Sequence, residues 1–315
     1  MRFLCFVILA LCLPVPSVLA QTSSAGSTEL VTVVEALFAS GRDLLDVKLT
    51  VDSMVDPSAN AQAVKAEIAR MTDAIKSMAR EEARSAGKLT ALKRYLYESG
   101  GWNGNKPFRY DLDDPLGEKS ANRLLQRYLT TRRGNCITMP ILFVALGQRL
   151  GLTMTLAEAP LHVFVKYTDD SGAVWNLEPT SGGGFTRDAW YRKKLPMSDM
   201  AVESGVYLRP LAHEEATALI ASFVVEHQIE AGAFEHAIAV SDVLLRHYPT
   251  FAYGLVKKGS AYSGLLRREL AGKYTRMEDI PAGLKEKADR WYAENIEAFA
   301  QAEALGWRPQ DGQTQ

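Results

Sequence analysis

Residues 131–140 read TRRGNCITMP, and their cysteine, Cys136, is the one cysteine outside the apolar first twenty residues. Cys5 and Cys12 both lie in that leading segment. A mature chain with a single thiol cannot form an internal disulfide, so Cys136 is buried, paired between chains or chemically active. An apolar run from Cys136 to Leu150, followed by Gly151, predicts a helix that begins at the cysteine. The N–H groups and dipole of a helix start are expected to lower the thiol pKa.

Two further candidate groups, a histidine and a carboxylate, follow Cys136 along the chain. His162 opens the predicted strand 162–167, and Glu178 ends the predicted strand 173–178, with turn-forming residues between them. If the hairpin is symmetric about Asp170, His162 and Glu178 are directly opposed and their Cβ atoms lie about 5 Å apart. A one-residue slip would put them on opposite faces. A nucleophile, a base and a carboxylate form the constellation of a cysteine hydrolase or acyltransferase.

Two assignments within this constellation remain open at the level of sequence. The Cys136 N–H could stabilise an oxyanion, but a second donor is needed. Asn176 could orient His162 in place of Glu178, although it would face Phe164 in the symmetric hairpin. The candidates for the second donor are three asparagines: Asn103, Asn105 and Asn122.

A zinc site built from Cys136, His162 and Glu178 is a weaker alternative, because these residue types also ligate zinc. No metal and no cofactor are predicted for this chain. The remaining histidines lie on predicted helices without mutual metal-ligand spacing, which favours packing or surface roles.

Three segments resemble the core motifs of the transglutaminase-like superfamily: RGNC at 133–136, LHVFV at 161–165 and WNLEPT at 175–180. The resemblance covers roughly residues 90–195. It implies an α+β, papain-like core in which a cysteine-bearing helix packs on an antiparallel sheet. By the same resemblance, Cys136 is the catalytic nucleophile, His162 the base and Glu178 the acid. The acid is usually Asp in this superfamily, so Glu178 is a departure.

The flanking regions resemble a bacterial branch with a helical N-terminal region and a tetratricopeptide-like C-terminal region. Around Gly232, Pro249 and Gly259, the spacing is that of a tetratricopeptide helix pair. Four segments are therefore predicted: a signal peptide at 1–20, a linker at 21–28, a transglutaminase-like domain with a helical N-terminal part at 29–209, and a tetratricopeptide-like helical module at 210–315.

The first twenty residues carry the features of a secretory signal. Arg2 is their one charge, an apolar run follows it, and small residues occupy the end of the segment. Removing Arg2 changes 36 Lys+Arg against 37 Asp+Glu, or −1, into 35 against 37, or −2. A near-neutral chain without a basic stripe argues against nucleic acid as a partner. We expect an exported protein, periplasmic or secreted, without stable membrane insertion after signal removal.

The expected reaction is acyl transfer on amide bonds through a Cys136 thioester. Water as acceptor gives peptide or amide hydrolysis, which we favour, and an amine gives transamidation. The expected substrate is a protein or peptide, and the C-terminal module is expected to bind a partner without taking part in chemistry. The rival class is a non-catalytic binding or scaffold protein. A third reading is a processing enzyme that acts on one partner held by the module.

Overall fold

The computed structural model of the protein describes residues 18–79 and 84–309. Most of the predicted signal, residues 1–17, lies outside the described residues. The structure corrects the prediction of a linker at residues 21–28, because these residues lie inside the first helix, Val18–Glu35. Val34 in the second half of this helix is fully buried, and no proline interrupts the polar segment before it. Packing of the C-terminal half of this helix therefore stabilises its extension toward the N-terminus through residues of weak helix propensity.

Helices dominate the described residues before and after one central sheet. Between them lie short 3₁₀ turns and loops. The α-helices are α1 Val18–Glu35, α2 Leu44–Val55, α3 Ala61–Met78, α4 Ser85–Tyr97, α5 Leu125–Thr131, α6 Thr138–Arg149, α7 Asp188–Lys194, α8 Asp199–Glu203, α9 His213–Glu230, α10 Phe234–His247, α11 Ala252–Leu270 and α12 Ala282–Ala304.

The central sheet is antiparallel and its strands follow chain order, β3-β4-β5-β6. A separate pair of two-residue strands, β1 and β2, is parallel. The sequence predicted β4 and β5 but missed β6, which is too short to show a periodic pattern. The strands are β1 Arg109–Tyr110, β2 Arg133–Gly134, β3 Thr153–Ala159, β4 His162–Thr168, β5 Val174–Glu178 and β6 Gly184–Thr186.

The β4–β5 register differs from the predicted one by two residues. Val165 pairs with Leu177 and Lys166 with Asn176, so His162 and Glu178 are not directly opposed. Because side chains alternate between faces, a shift of two residues keeps His162 and Glu178 on the same face of the sheet. The prediction of a shared face therefore holds, and the prediction of direct opposition is wrong.

Asp169 accounts for this shift by organising a turn at residues 169–173, one residue further along the chain than the predicted turn at 168–172. Its Oδ1 accepts hydrogen bonds from the backbone N–H groups of Ser171 at 2.9 Å and Ala173 at 3.0 Å. Its Oδ2 accepts from the indole Nε1 of Trp175 at 2.8 Å. Ala173, predicted as the first residue of the returning strand, is thereby held in the turn, and pairing begins at Val174.

One continuous set of buried apolar side chains extends from Val34 to Ala261. It joins the N-terminal helices, the α6–sheet layer and the C-terminal helices, and α9 packs directly on α2. The predicted segments 29–209 and 210–315 therefore share a core in the structure. Within the described part of the chain, no helix is long and apolar enough to cross a membrane.

The C-terminal helices follow the predicted boundaries closely. α10 ends at His247 and α11 begins at Ala252, as the Tyr248-Pro249 break indicated. Gly259 allows α11 and α12 to approach, since a Cβ there would lie 2.8 Å from the Phe299 ring. The relation of these helices to tetratricopeptide repeats stays a prediction.

Candidate active site

Asn135 sets the geometry of the segment that carries Cys136. Its side-chain Oδ1 accepts hydrogen bonds from the backbone N–H groups of Ile137 at 3.1 Å and Thr138 at 3.0 Å. This is the bonding of a helix N-cap, so Cys136 directly follows the capping residue. The regular helix begins at Thr138 and not at Cys136 as predicted. Pro140 explains the difference, because it has no N–H to donate to the Cys136 carbonyl.

The Cys136 thiol is buried and held in a closed environment. Its backbone N–H donates to the Pro115 carbonyl at 3.1 Å, and its Sγ lies 3.7 Å from the Leu161 carbonyl oxygen. The residue is 2% exposed. Burial, followed by the negative charge of Glu178, raises the pKa of Cys136 to about 12, although Arg123 acts in the opposite direction. The thiol is therefore protonated at neutral pH in this conformation.

Two expectations for Cys136 are corrected by this environment. A helix start was expected to lower the thiol pKa, but desolvation outweighs the favourable backbone groups. The Cys136 N–H was expected to be free for an oxyanion, but the Pro115 carbonyl occupies it. The loop that precedes α5 contributes this covering carbonyl.

His162 and Glu178 form the predicted contact. The imidazole Nε2 lies 2.7 Å from Glu178 Oε2, and Tyr191 donates its hydroxyl to the same oxygen at 2.8 Å. Thr180 donates its hydroxyl at 2.6 Å and its N–H at 3.1 Å to the other oxygen, Oε1. Burial raises the pKa of Glu178, but the bonds from His162, Thr180 and Tyr191 together hold it below its ordinary value.

This bonding determines what the imidazole can do. An ionised carboxylate accepts hydrogen bonds only, so His162 presents an Nε2–H to Glu178. In the neutral ring, the proton on Nε2 leaves the Nδ1 lone pair available as a base. Cys136 and His162 line the same cavity, which has a volume of about 580 Å³. Among the described residues the two side chains make no direct hydrogen bond.

The asparagines proposed from sequence lie elsewhere. Asn176 donates to Asp188 at 2.7 Å, so it is not the orienting group of His162. Asn103 donates to the backbone carbonyls of Tyr95 and Glu98. None of the candidate second oxyanion donors lines the cavity that contains Cys136: Asn103, Asn105 and Asn122.

Sequence reasoning missed several residues that complete the site. Thr180 stands in the quoted WNLEPT segment, two residues after Glu178, so its spacing could have indicated the bond to the carboxylate. Tyr191, on α7, could be named from sequence only as one of several aromatic residues that could line a cleft. Its contact with Glu178 and Phe164 was missed, because only folding brings these residues together. The lining from α11 and α12, including Lys257 and Phe299, was also missed. Among residues 18–79 and 84–309, no group of three or more His, Cys, Asp or Glu is arranged to hold a metal ion.

Comparison with known families agrees with this geometry. Residues 62–217 match the family model described as the transglutaminase-like superfamily. The chain contains a transglutaminase-like domain. The matched region runs from α3 into the first turn of α9 and includes Cys136, His162 and Glu178. Membership in the superfamily indicates cysteine-dependent acyl transfer at the level of the family, on a fold of the α+β class.

Curated relatives are similar over part of the chain. A UPF0162 protein of Xylella fastidiosa strain Temecula1 is 25% identical over 189 residues, which cover 58% of this chain and 63% of the relative. A UPF0162 protein of Buchnera aphidicola subsp. Baizongia pistaciae is 23% identical over 163 residues, or 51% of this chain and 60% of the relative. The chain thus spans about three-fifths of these relatives. No solved structure gives a significant match to the transglutaminase-like domain or its flanks.

Proposed function

We propose that this protein is an exported cysteine hydrolase that cleaves a peptide or amide bond through a thioester on Cys136. The observation that supports it most is the His162–Glu178 pair, joined at 2.7 Å, in which His162 lines the cavity that also contains Cys136. A carboxylate with four hydrogen bonds is a costly group to bury, and a purely structural core could do without it. Its geometry leaves the Nδ1 lone pair of His162 available as a base.

In the proposed reaction, Sγ of Cys136 attacks the substrate carbonyl carbon and its proton passes to Nδ1 of His162. The imidazolium, stabilised by Glu178, then gives that proton to the leaving nitrogen as the C–N bond breaks. Water attacks the resulting thioester while His162 accepts one of its protons. Collapse of this second adduct breaks the C–S bond, releases the carboxylic acid and restores the thiol.

The closed thiol requires an opening step before this chemistry. The Pro115 carbonyl must leave the Cys136 N–H, and the contact from Sγ to the Leu161 carbonyl must break. A substrate carbonyl oxygen that takes the place of Pro115 on this N–H would make the opening favourable on binding. Burial would then be relieved and the thiol would lie in reach of His162.

The compartment is part of the same proposal. The first twenty residues have the charge, apolar run and small terminal residues of an export signal, which supports a periplasmic or secreted enzyme. Protein segments and cell-wall peptides are the substrate classes that such a compartment offers.

Acylation by 4-nitrophenyl acetate tests the chemistry without knowledge of the substrate. We expect the ester to place an acetyl group on Cys136, which adds its mass to the Cys136 peptide and is removed by hydroxylamine as a thioester is. His162→Ala should slow nitrophenol release and acetylation by about 10²-fold or more, the usual contribution of a general base. The matched control is His213→Ala, which removes an exposed imidazole at the start of α9.

The two outcomes separate the enzyme from a scaffold protein. A scaffold with a degenerate core would show no acetyl-Cys136, or the same slow rate in wild type and His162→Ala. An enzyme would show the loss in His162→Ala and full activity in His213→Ala. Acetyl transfer to an added amine in competition with water then distinguishes transamidation from hydrolysis.

A further inference from the structure

The cavity beside Cys136 has a second wall, which the C-terminal helices supply. Tyr253 and Lys257 of α11 line it, together with Glu226 of α9 and Arg123 from the loop before α5. Because one cavity of about 580 Å³ is lined by both Cys136 and these residues, a ligand of peptide size would contact both walls.

Glu226 is the centre of this wall, and each of its carboxylate oxygens already accepts a hydrogen bond. Arg123 donates NH1 to Oε2 at 2.6 Å, and Tyr253 donates its hydroxyl to Oε1 at 2.7 Å. Lys257 Nζ lies 3.6 Å from Oε2, which is an ion pair without a close hydrogen bond. One carboxylate is therefore shared by two cations, which leaves one positive charge in excess.

Hydrogen-bond donors are also in excess at this wall. Arg123 uses Nε on the Gly117 carbonyl and NH1 on Glu226, and none of the described residues accepts from its NH2. The Lys257 ammonium has three N–H groups and one distant partner. Lys48, the third cation of the cavity, is committed to Asp52 and to the Arg123 carbonyl. The wall therefore offers a ligand more free hydrogen-bond donors than acceptors.

The other carboxylates of the cavity do not cancel the excess charge. Burial raises the pKa of Glu158 to about 8, so it is mostly uncharged at neutral pH. Glu118 is exposed at the edge of the cavity, where water screens its charge. An anionic ligand would find at least two donors at Arg123 and Lys257, whereas Glu226, the carboxylate beside them, is already paired with both cations.

We propose that Arg123 and Lys257 form a subsite for a carboxylate of the substrate, such as the end of a peptide or an acidic side chain. This inference rests on the proposed function, because it places the carboxylate in the cavity from which Cys136 attacks. It also assigns α11 a role in substrate selection, where the sequence indicated a module that takes no part in the chemical site.

Two thiol reagents that differ in one charge test the subsite in the full chain. Bromoacetyl-glycine ends in a carboxylate and bromoacetyl-glycinamide in a neutral amide, and with both the sulfur of Cys136 displaces bromide. Labelling of the Cys136 peptide is followed by mass spectrometry near pH 7, and each rate is divided by the rate with free cysteine. We expect the carboxylate reagent to be favoured about tenfold, as for a charge-assisted hydrogen bond at a partly exposed lysine.

The test variant is Lys257→Met, which keeps an unbranched side chain over the Tyr253 ring and removes the charge. Its matched control is Lys258→Met on the same helix, since Lys258 pairs with Asp242 at 2.8 Å and does not line the cavity. Both variants remove one positive charge from neighbouring positions. We expect Lys257→Met to abolish most of the carboxylate preference and Lys258→Met to retain it.

Each result bears on one of the two proposals. If the amide reagent labels Cys136 but Lys257→Met leaves the reagent ratio unchanged, the subsite is wrong and the hydrolase proposal stands. If neither reagent labels the folded protein, the hydrolase proposal loses its reactive thiol. The subsite is then decided in Cys136→Ala protein by ligand-detected NMR with acetyl-glycine and acetyl-glycinamide. Equal binding of the two ligands there would overturn it.

Discussion

The imidazole–carboxylate pair and the thiol stand at the same cavity but in opposite states. Glu178 is ionised, satisfied by four hydrogen bonds and joined to His162, so this half is assembled before any substrate arrives. Cys136 is protonated, buried and held by the backbone of Pro115 and Leu161. For the proposed hydrolase, this difference means that the base is assembled in the resting molecule while the nucleophile is not. The proposed reaction would then be controlled at the thiol, and its proton transfer would depend on the pair.

The largest effect is expected from removal of the Glu178 charge. Glu178→Gln should reduce acetylation of Cys136 by 4-nitrophenyl acetate by about 10²-fold or more, because the imidazolium loses its counter-charge. Nitrophenol release gives the rate, and Glu158→Gln, at another carboxylate of the cavity, is the control. Wild-type rates in Glu178→Gln would show that the assembled half is structural only.

Alkaline pH should lower the free energy of unfolding through ionisation of the buried Cys136 thiol. Because folding raises the pKa of Cys136 from about 9 to about 12, its contribution to stability is complete below pH 9. That contribution is lost as pH rises through 9 toward 12, since the unfolded chain ionises first. Linkage gives a loss of about 1.3 kcal/mol between pH 8 and 10. Burial also raises the pKa of tyrosines such as Tyr128, so both wild type and Cys136→Ala should lose stability at alkaline pH. Urea unfolding should show a loss that is larger by about 1.3 kcal/mol in wild type than in Cys136→Ala, and equal losses would mean an exposed thiol.

The parts of the site that follow from a local sequence rule were predictable. Alternation of side chains along β4 and β5 placed His162 and Glu178 on one face of the sheet. This placement was correct despite an error of two residues in the register, because an even shift leaves every side chain on its original face. The register itself depended on side-chain bonds from Asp169 within the turn, which symmetry about Asp170 could not reveal. The pKa of Cys136 was predicted in the wrong direction, because the helix start is local information and burial is not.

Long-range parts of the fold were beyond the same rules. Tyr191 reaches Glu178 from α7, and Lys257 reaches the cavity from α11, although neither stands near a motif. The boundaries of α10 and α11 were predictable, because Tyr248-Pro249 marks the break. That these helices share a core with the transglutaminase-like domain could not be read from their periodicity, which shows an apolar face but not its partner.

A smaller effect is expected when Glu178 loses one of its hydrogen-bond donors, the Tyr191 hydroxyl. Tyr191→Phe removes one donor from Glu178 and should cost about 1 kcal/mol in the free energy of unfolding. Tyr95→Phe is the matched control, since the Tyr95 hydroxyl is buried without a partner among the described residues. Urea denaturation of both variants measures the difference. Equal losses would show that the hydroxyl of Tyr191 does not support the carboxylate.

The smallest effect is expected at the turn that holds the thiol closed. Leu161 adopts a φ of +54° between Pro160 and His162, at the turn position where Asn or Gly is favoured. Leu161→Asn should therefore stabilise the protein by about 0.5–1 kcal/mol. Thermal unfolding compares it with Leu112→Asn, which replaces an exposed leucine without positive φ. An equal gain in both variants would come from replacing an exposed apolar side chain and not from relief of backbone strain in the turn.

The shared core has a consequence for how this architecture could be recombined. A junction placed near Arg209 would fall at an obvious break in the sequence pattern, yet it would separate α9 from α2 and expose apolar side chains on both. It would also remove the cavity wall that carries Lys257. The C-terminal helices are thus not an exchangeable cassette, and a grafted replacement would have to match the surface of α2 and the shape of the cavity together.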